Sequence, residues 1–202
     1  MVHLRFICAL STAMVGATPL VATPLAIASA QGATRPGTPN EALARAVHEV
    51  EQLDALRSSL ARTFASGGVV ANDSTFAQVC KPVKAQAMKV AKENGWMVGQ
   101  LAERNRNADN TLDAGAQRAF MLMRRNPGVM GEWVRATYKG QQGTRYFRRI
   151  TVERACLACH GKREARPDFV KKNYPSDKAF GFAAGDLRGI YSVFIPDSTG
   201  RR

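Results

Sequence analysis

Side chains able to bind a metal or form a disulfide are scarce in this sequence. Its 202 residues include four cysteines and three histidines, and no Cys, His or Met occurs after His160. So few cysteines exclude a small scaffold built on disulfides. A structural zinc site needs four ligands. Beyond the first 30 residues, the stretch Cys156–His160 is joined only by Cys80 and His48, which form no second close pair. The pattern therefore disfavours zinc.

Long apolar runs are absent after the first 30 residues. The run over residues 6–28 is interrupted by two prolines and ends in Ala28-Ser29-Ala30, a pattern typical of signal-peptide cleavage. We expect residues 1–30 to be a Sec-type signal peptide and the mature protein to be periplasmic, with no transmembrane segment. The alternative is a retained anchor, because a spanning helix needs about 20 apolar residues.

Acidic residues are also in short supply. Sixteen Asp and Glu residues stand against 29 Lys and Arg, which gives a net charge of +13. Residues 1–30 contain one Arg and no acid, so their removal leaves +12. A basic surface favours anionic partners. Because export argues against nucleic acid, we expect an acidic redox or signalling protein as the partner.

The remaining chain predicts a flexible leader over 31–40 and a single domain over 41–202. Apolar spacings of three and four predict helices over about 40–64, 73–94 and 112–125, the first capped by Asn40 and the second containing Pro82. A short strand is expected at "WMVGQLAE". Two more, "EWVRATYKG" and "TRYFRRITVE", flank "QQG" as a hairpin connection, and "RGIYSVFIP" is the last strand. Helices followed by an antiparallel sheet predict an α+β fold.

The stretch Cys156-Leu157-Ala158-Cys159-His160 carries the most specific chemistry. With this composition the pattern is expected by chance only about 0.001 times, and it is the pattern of covalent c-type haem attachment. Two thiols at this spacing can bond the two vinyl groups of one porphyrin, and the adjacent His can bind the iron as its proximal ligand. One haem c on Cys156, Cys159 and His160 is therefore predicted.

Other interpretations of this stretch fit the chain less well. A thioredoxin-like dithiol oxidoreductase has its CxxC early in the fold, whereas only 42 residues follow His160 here. A plain disulfide would leave His160 unexplained.

A strong second ligand for the iron, if the iron has one, must come from upstream, although a Lys could serve more rarely. The strong candidates are His48, Cys80 and five methionines, namely Met88, Met97, Met121, Met123 and Met130. Cys80 lies on the predicted apolar helix face with Phe76 and Val83. It has no thiol partner left if Cys156 and Cys159 hold a haem. Spacing alone does not separate a ligand from a buried small hydrophobic residue, which is where free Cys is often found. His48 is predicted to be a surface residue and the methionines to fill the core.

Three stretches resemble the bacterial c-type haem domains with a PAS-like fold, some of which stand alone while others precede histidine kinases. They are "FAQVCKPVKAQA", "ACLACHG" and "YPSDKAFGFAAGDLRGIYSVFIP". The resemblance implies helices packed on an antiparallel PAS-like sheet, and Cys80 as the distal iron ligand opposite His160. The sequence departs from the family where Arg104-Asn105-Arg106 replaces Arg-Asn-Pro.

Two functions follow from these residues. The first is a redox-active haem protein that carries electrons or senses redox state, because two protein ligands leave no open site on the iron. The alternative is a sensor of NO or CO in which the gas displaces Cys80. A peroxidase-type enzyme needs an open position and a distal acid–base group, for which the sequence offers only His48.

Overall fold

The computed structural model describes residues 38–68 and 70–197. The helices are α1 (Pro39–Ser66), α2 (Asp73–Asn94), α3 (Ala114–Arg125), α4 (Leu157–His160) and α5 (Asp168–Asn173), and the strands are β1 (Met97–Leu101), β2 (Gly131–Tyr138), β3 (Gln141–Thr151) and β4 (Leu187–Pro196). Helices packed on an antiparallel sheet confirm the predicted α+β class. The expected signal peptide, and all of the expected leader except its last residues, lie outside the described part of the chain.

The first helix begins earlier than predicted. Its N-cap is Thr38 rather than Asn40, which lies inside α1. The Thr38 hydroxyl accepts a hydrogen bond from the Glu41 N–H at 3.3 Å, and the Glu41 carboxylate accepts one from the Thr38 N–H at 2.6 Å. Pro39 follows the cap, at a position where a missing N–H costs nothing. This capping box and Pro39 outcompete the Asn40 cap.

The second helix follows the prediction closely. Asn72 caps it through a reciprocal pair of hydrogen bonds with Thr75. Gly95 ends it with φ 67°, a left-handed conformation that glycine adopts without steric cost. Pro82 lies within the continuous helix. The expected third helix begins at Ala114 instead of Leu112, because Asp113 accepts the Ala116 N–H as N-cap.

All four strands form one antiparallel sheet in the order β1-β4-β3-β2. The hairpin between β2 and β3 turns at Lys139-Gly140, with φ 48° and 78°. The prediction that "QQG" forms the turn is wrong, because residues 141–143 already pair with β2. A two-residue turn with positive φ at both positions matches the twist of a hairpin. As a result β2 ends two residues earlier, and β3 begins three residues earlier, than predicted.

Each face of the sheet carries its own hydrophobic core. On one face, α1 packs against β3 and β4, and α2 packs against α1 and β1. The buried side chains of this core are Ala46, Val50, Leu53, Val90, Trp96, Tyr146, Ile150, Tyr191 and Val193. On the other face α3 contributes Ala116, Ala119, Phe120 and Met123, which pack on Phe147 and Ile190. The sheet is therefore the middle layer, and α1 and α2 share one side of it.

Buried arginines of β3 tie the helices to the sheet. Arg145, 3% exposed, donates to both carboxylate oxygens of Asp113 at 2.8 and 2.7 Å, which anchors the start of α3. Arg148 faces the other side and pairs with Glu51 and Asp54 of α1 at 2.8 and 2.9 Å. Alternation along β3 thus directs Arg145 and Arg148 to opposite helical layers.

Across residues 38–68 and 70–197, no helix has the combined length and apolar character needed to cross a bilayer.

Candidate functional site

A cavity of about 480 Å³ lies between α2, the sheet and the segment that contains α4. Cys80, Cys156, Cys159 and His160 all line it. These four residues come from positions up to 80 apart in the sequence, and the fold brings them to one enclosed space. The volume lies within the roughly 300–1,000 Å³ typical of ligand and cofactor pockets.

Most of the wall is apolar. It is formed mainly by Phe76, Val79, Val83 and Ala87 of α2, Val98 and Leu101 of β1, Ile150 of β3, and Val152 and Phe169. The rings of Phe76 and Phe169 lie 5.3 Å apart in a tilted pair. Residues 76, 79, 80, 83 and 87 share one face of a helix. Cys80 therefore lies in an apolar stripe, as the sequence predicted.

The CxxCH stretch forms a compact helical segment. A 3₁₀ turn at Arg154–Cys156 leads directly into α4, so Cys156 and Cys159 are one helical turn apart and lie on the same side. Both are free thiols and are half-buried. Burial raises the pKa of Cys159, an effect that the nearby Arg106 opposes. The segment thus presents two thiols and the His160 ring to one cavity.

His160 is held in one tautomer. Its Nδ1 lies 2.7 Å from the carbonyl oxygen of Ala179. A carbonyl can only accept, so Nδ1 carries the proton and Nε2 keeps a free electron pair for a metal. Burial, with the charges of Arg188 and Arg106, lowers the pKa of His160 to about 3. The ring is therefore neutral near pH 7, the form in which His binds iron.

Backbone hydrogen bonds hold the Ala179 loop against the motif. The Gly181 N–H donates to the Gly161 carbonyl at 2.6 Å, and the Phe182 N–H donates to the His160 carbonyl at 3.1 Å. The Ala179 N–H donates to the Asp177 carboxylate at 2.9 Å. The position of the Ala179 oxygen is thus fixed from both sides of the loop.

Cys80 opens onto the cavity from α2. Its side chain is accessible through the cavity, yet the surrounding protein desolvates the thiol and raises its pKa to about 11. Arg106 lowers that pKa, whereas Cys159 and Cys156 raise it, because all of these groups act on the same space. The predicted distal residue therefore shares the cavity with the predicted haem-attachment residues.

The other upstream candidates for the second iron ligand differ in their exposure and in whether they line the cavity. Met88 lines the cavity two turns after Cys80 on α2 and is 63% exposed. The prediction that the methionines fill the core holds for Met123, which is fully buried, and is wrong for Met88 and for Met130, which is 46% exposed. His48 is exposed on α1, as predicted, and does not line the cavity.

Four cations at the cavity were not predicted from the sequence. They are Arg57, Lys84, Arg106 and Arg188. Arg106 pairs with Asp177 at 3.3 Å and donates to the Cys159 carbonyl at 2.9 Å, which fixes it beside the motif. The available sequence signal was the unusual Arg at position 106 where the resembling family has Pro.

Arg188 differs from Arg57 and Arg106, which both pair with carboxylates. Its Nη1 donates to the Arg104 carbonyl at 2.9 Å, and among the described residues it forms no ion pair. Burial, followed by the charge of Arg106, lowers the pKa of Arg188 to about 10. This side chain therefore brings an uncompensated positive charge to the cavity wall.

The residues present fit a haem. The cavity offers an apolar wall for a flat macrocycle, two thiols one helical turn apart, an imidazole with Nε2 free, and cations for two carboxylates. This combination defines the class: an α+β domain with a Cys- and His-lined cofactor pocket on one face of its sheet.

Comparison with known proteins gives the family. The Tll0287-like family profile matches residues 35–196, and the chain belongs to this family. The crystal structure of the cyanobacterial heme-protein Tll0287 is similar, with a TM-score of 0.70 and 40% sequence identity, over 80% of this chain and 98% of that one. A search of curated proteins finds no match. The resemblance to a haem-protein family is thus confirmed.

Proposed function

We propose that this chain is a monohaem c-type protein that carries electrons or senses redox state. One observation carries the proposal: Cys80, Cys156, Cys159 and the Nδ1-anchored His160 line a single cavity. The similar cyanobacterial structure is that of a heme-protein, which supports the same cofactor here. When bound, a haem supplies a one-electron iron couple; the protein supplies attachment, ligands and surroundings.

Each residue then has a defined role. Cys156 and Cys159 would hold the porphyrin covalently, because addition of each S–H group across a vinyl C=C bond needs no oxidant. His160 offers Nε2 to the iron, with its proton held on Nδ1 by Ala179. Cys80 offers its sulfur as the distal ligand and must lose its proton to do so, since burial keeps the free thiol protonated.

The cavity cations suit the carboxylate groups of a haem. Arg188 has no acidic partner within residues 38–68 and 70–197, and Arg106 shares Asp177 with Arg166, so both retain capacity for a further anion. Charge-assisted hydrogen bonds of this kind are stronger than neutral ones. We infer that these side chains orient the cofactor in the cavity.

An aromatic series across the sheet favours electron transfer. Trp133, 40% exposed on the edge strand β2, stacks on Tyr146 of β3 with ring centroids 4.2 Å apart. Tyr146 is the diagonal cross-strand neighbour of Tyr191, and Tyr191 lines the cavity. Aromatic residues at neighbouring sheet positions therefore lie between the cavity wall and the solvent-exposed edge. A basic surface of charge +12 in the expected periplasmic form suits an acidic redox partner.

The attachment is tested first on the full protein co-expressed with a cytochrome c maturation system. A pyridine haemochrome spectrum is expected to show one covalent haem per chain, resistant to acid–acetone extraction. Replacing Cys156 and Cys159 together by Ala is expected to make the haem extractable. Extractable haem in the unaltered protein would exclude covalent attachment, and no haem at all would exclude the proposed function.

The distal ligand is tested by Cys80→Ala, with Met88→Leu as the matched control on the same cavity wall. Cys80→Ala is expected to change the ferric absorption spectrum and to open the iron to CO in the ferrous state. Met88→Leu is expected to leave both unchanged. An unchanged spectrum in Cys80→Ala would remove Cys80 as ligand, and a change only in Met88→Leu would assign the role to Met88.

The gas-sensor alternative is tested with the unaltered protein. If the Cys80 bond is stable, the ferrous spectrum is expected to be unaffected by CO, which supports electron transfer. Rapid formation of a CO or NO complex would instead support displacement of Cys80 by a gas.

A further inference from the structure

A second cleft, of about 340 Å³, is lined by four arginines and two carboxylates. We call it the arginine cleft and define it by Arg104, Arg124, Arg149 and Arg188. It lies beside α3 and the loop that precedes β4. The cleft is therefore suited to a polar ligand of negative charge.

Arg149 is the buried component of the arginine cleft. It is 6% exposed, and its Nη1 donates to the Met123 carbonyl at 2.7 Å. Within the described ranges no carboxylate lies at ion-pair distance from Arg149. Its Nε and Nη2 donate to no protein acceptor in those ranges and are not fully buried, so they face the cleft and can donate to a ligand there. Because Arg149 lines the cleft, an anion there would supply the missing partner.

Arg104 and Arg188 are held rigidly at the same cleft. Arg104 donates to the carbonyls of Phe180 and Gly181 at 3.0 and 3.1 Å, and its guanidinium lies 3.6 Å from the centre of the Phe182 ring. Arg188 donates to the Arg104 carbonyl and lies 5.4 Å from the same ring. Neutral acceptors and one aromatic ring fix both cations without neutralising either.

The two carboxylates compensate only part of this charge. Glu103 pairs with Arg124 at 3.0 Å, and Asp186 accepts the Ala183 N–H at 2.8 Å. Arg104, Arg149 and Arg188 therefore remain without an acidic partner in the part of the chain that the structure describes. Fixed, unneutralised guanidinium groups around a small polar cleft recognise oxyanions through several charge-assisted hydrogen bonds.

We propose that the arginine cleft binds a small tetrahedral oxyanion of the phosphate type, with Arg149 as its buried anchor. This site is separate from the attachment residues in the larger cavity, and it does not depend on the proposed function. Arg188 lines both spaces. A haem carboxylate is thus the competing occupant, and in that case the haem-loaded protein has no room for a free anion.

The test is calorimetric titration of the haem-loaded protein with inorganic phosphate at constant ionic strength. Saturable binding of one phosphate per chain is expected. Arg149→Gln is expected to weaken it at least about tenfold, since a hydrogen bond to a charged group contributes about 1.5–3 kcal/mol. Arg135→Gln is the matched control, because Arg135 lies on the exposed edge strand and pairs with Asp197. Its effect is expected to stay within about twofold.

A second variant covers the case in which Arg149→Gln fails to fold. Glu103→Gln changes an exposed side chain, removes a negative charge from the cleft and releases Arg124, so phosphate is expected to bind more tightly. Glu93→Gln, on exposed α2, is its control. Absence of saturable binding to the haem-loaded protein would overturn the proposal. So would equal effects of the cleft variants and their controls, which would indicate attraction to net charge alone. If co-expression with the maturation system yields protein that contains no haem but still binds one phosphate per chain, the proposed function is refuted and the phosphate site is retained.

Discussion

Arg145 and Asp113 form an ion pair, and we expect replacement of Asp113 to lower the free energy of unfolding more than replacement of Arg145. The Arg145 side chain is 3% exposed and the Asp113 side chain is 40% exposed. Asp113→Ala leaves the guanidinium buried with Ser192 as its remaining hydrogen-bond partner at 2.8 Å. Stranding one member of a buried pair costs about 3–5 kcal/mol, and loss of the α3 N-cap adds about 1 kcal/mol. We expect a total of about 4–6 kcal/mol.

The reverse substitution should cost less. Arg145→Met leaves Asp113 partly in water, where a carboxylate is solvated, and it replaces the buried cation by an apolar side chain of similar length. The main loss is the partner of the Ser192 hydroxyl, about 1–3 kcal/mol. The double variant is expected to be more stable than Asp113→Ala alone, because it no longer contains a stranded buried charge.

Urea denaturation followed by circular dichroism measures all three free energies of unfolding. The comparison uses the same preparation and cofactor content for each variant, so that ligand binding does not contribute to the differences. If Arg145→Met were as destabilising as Asp113→Ala, the exposure of the charged side chain that remains would not determine the loss of stability. The assignment of Arg145 as the desolvated partner would then be wrong.

Two further predictions concern pH and packing. Burial raises the pKa of Asp113, but hydrogen bonds from Arg145 and from the Ala116 N–H lower it overall below its ordinary value of about 3.9. The contribution of Asp113 to stability is therefore present above that value and is lost as the pH falls through the lower folded pKa. The free energy of unfolding, measured in urea, should therefore differ more between pH 3 and pH 7 for the unaltered protein than for Asp113→Asn. Gly143→Ala would place a Cβ against the Ile195 carbonyl oxygen and should cost about 1–3 kcal/mol. Gly128→Ala, whose Cβ would meet nothing within 4 Å, should be neutral in the same thermal melt, and equal losses would contradict the packing argument.

Local features of the chain were predictable because their causes are local. The end of α2 at Gly95 and the motif Cys156–His160 each depend on residues within one or two turns. Two predictions that were wrong, the N-cap of α1 and the hairpin turn, also had local causes. Thr38 with Pro39 displaced the Asn40 cap, and the positive-φ pair Lys139-Gly140 formed the hairpin turn in place of "QQG". In each case two compatible signals lay a few residues apart, and backbone geometry selected one.

The sequence by itself determined the rare CxxCH pattern, the α+β class and the absence of Cys, His and Met after His160. Only the tertiary structure decided which distant groups meet. It brought Cys80 and Met88 to the cavity and kept His48 away, and it aimed the Ala179 carbonyl at the His160 ring. These placements depend on how α2 and the loop before β4 pack against the sheet. Packing sums many weak contacts between residues far apart in the chain, so no short stretch of sequence encodes it.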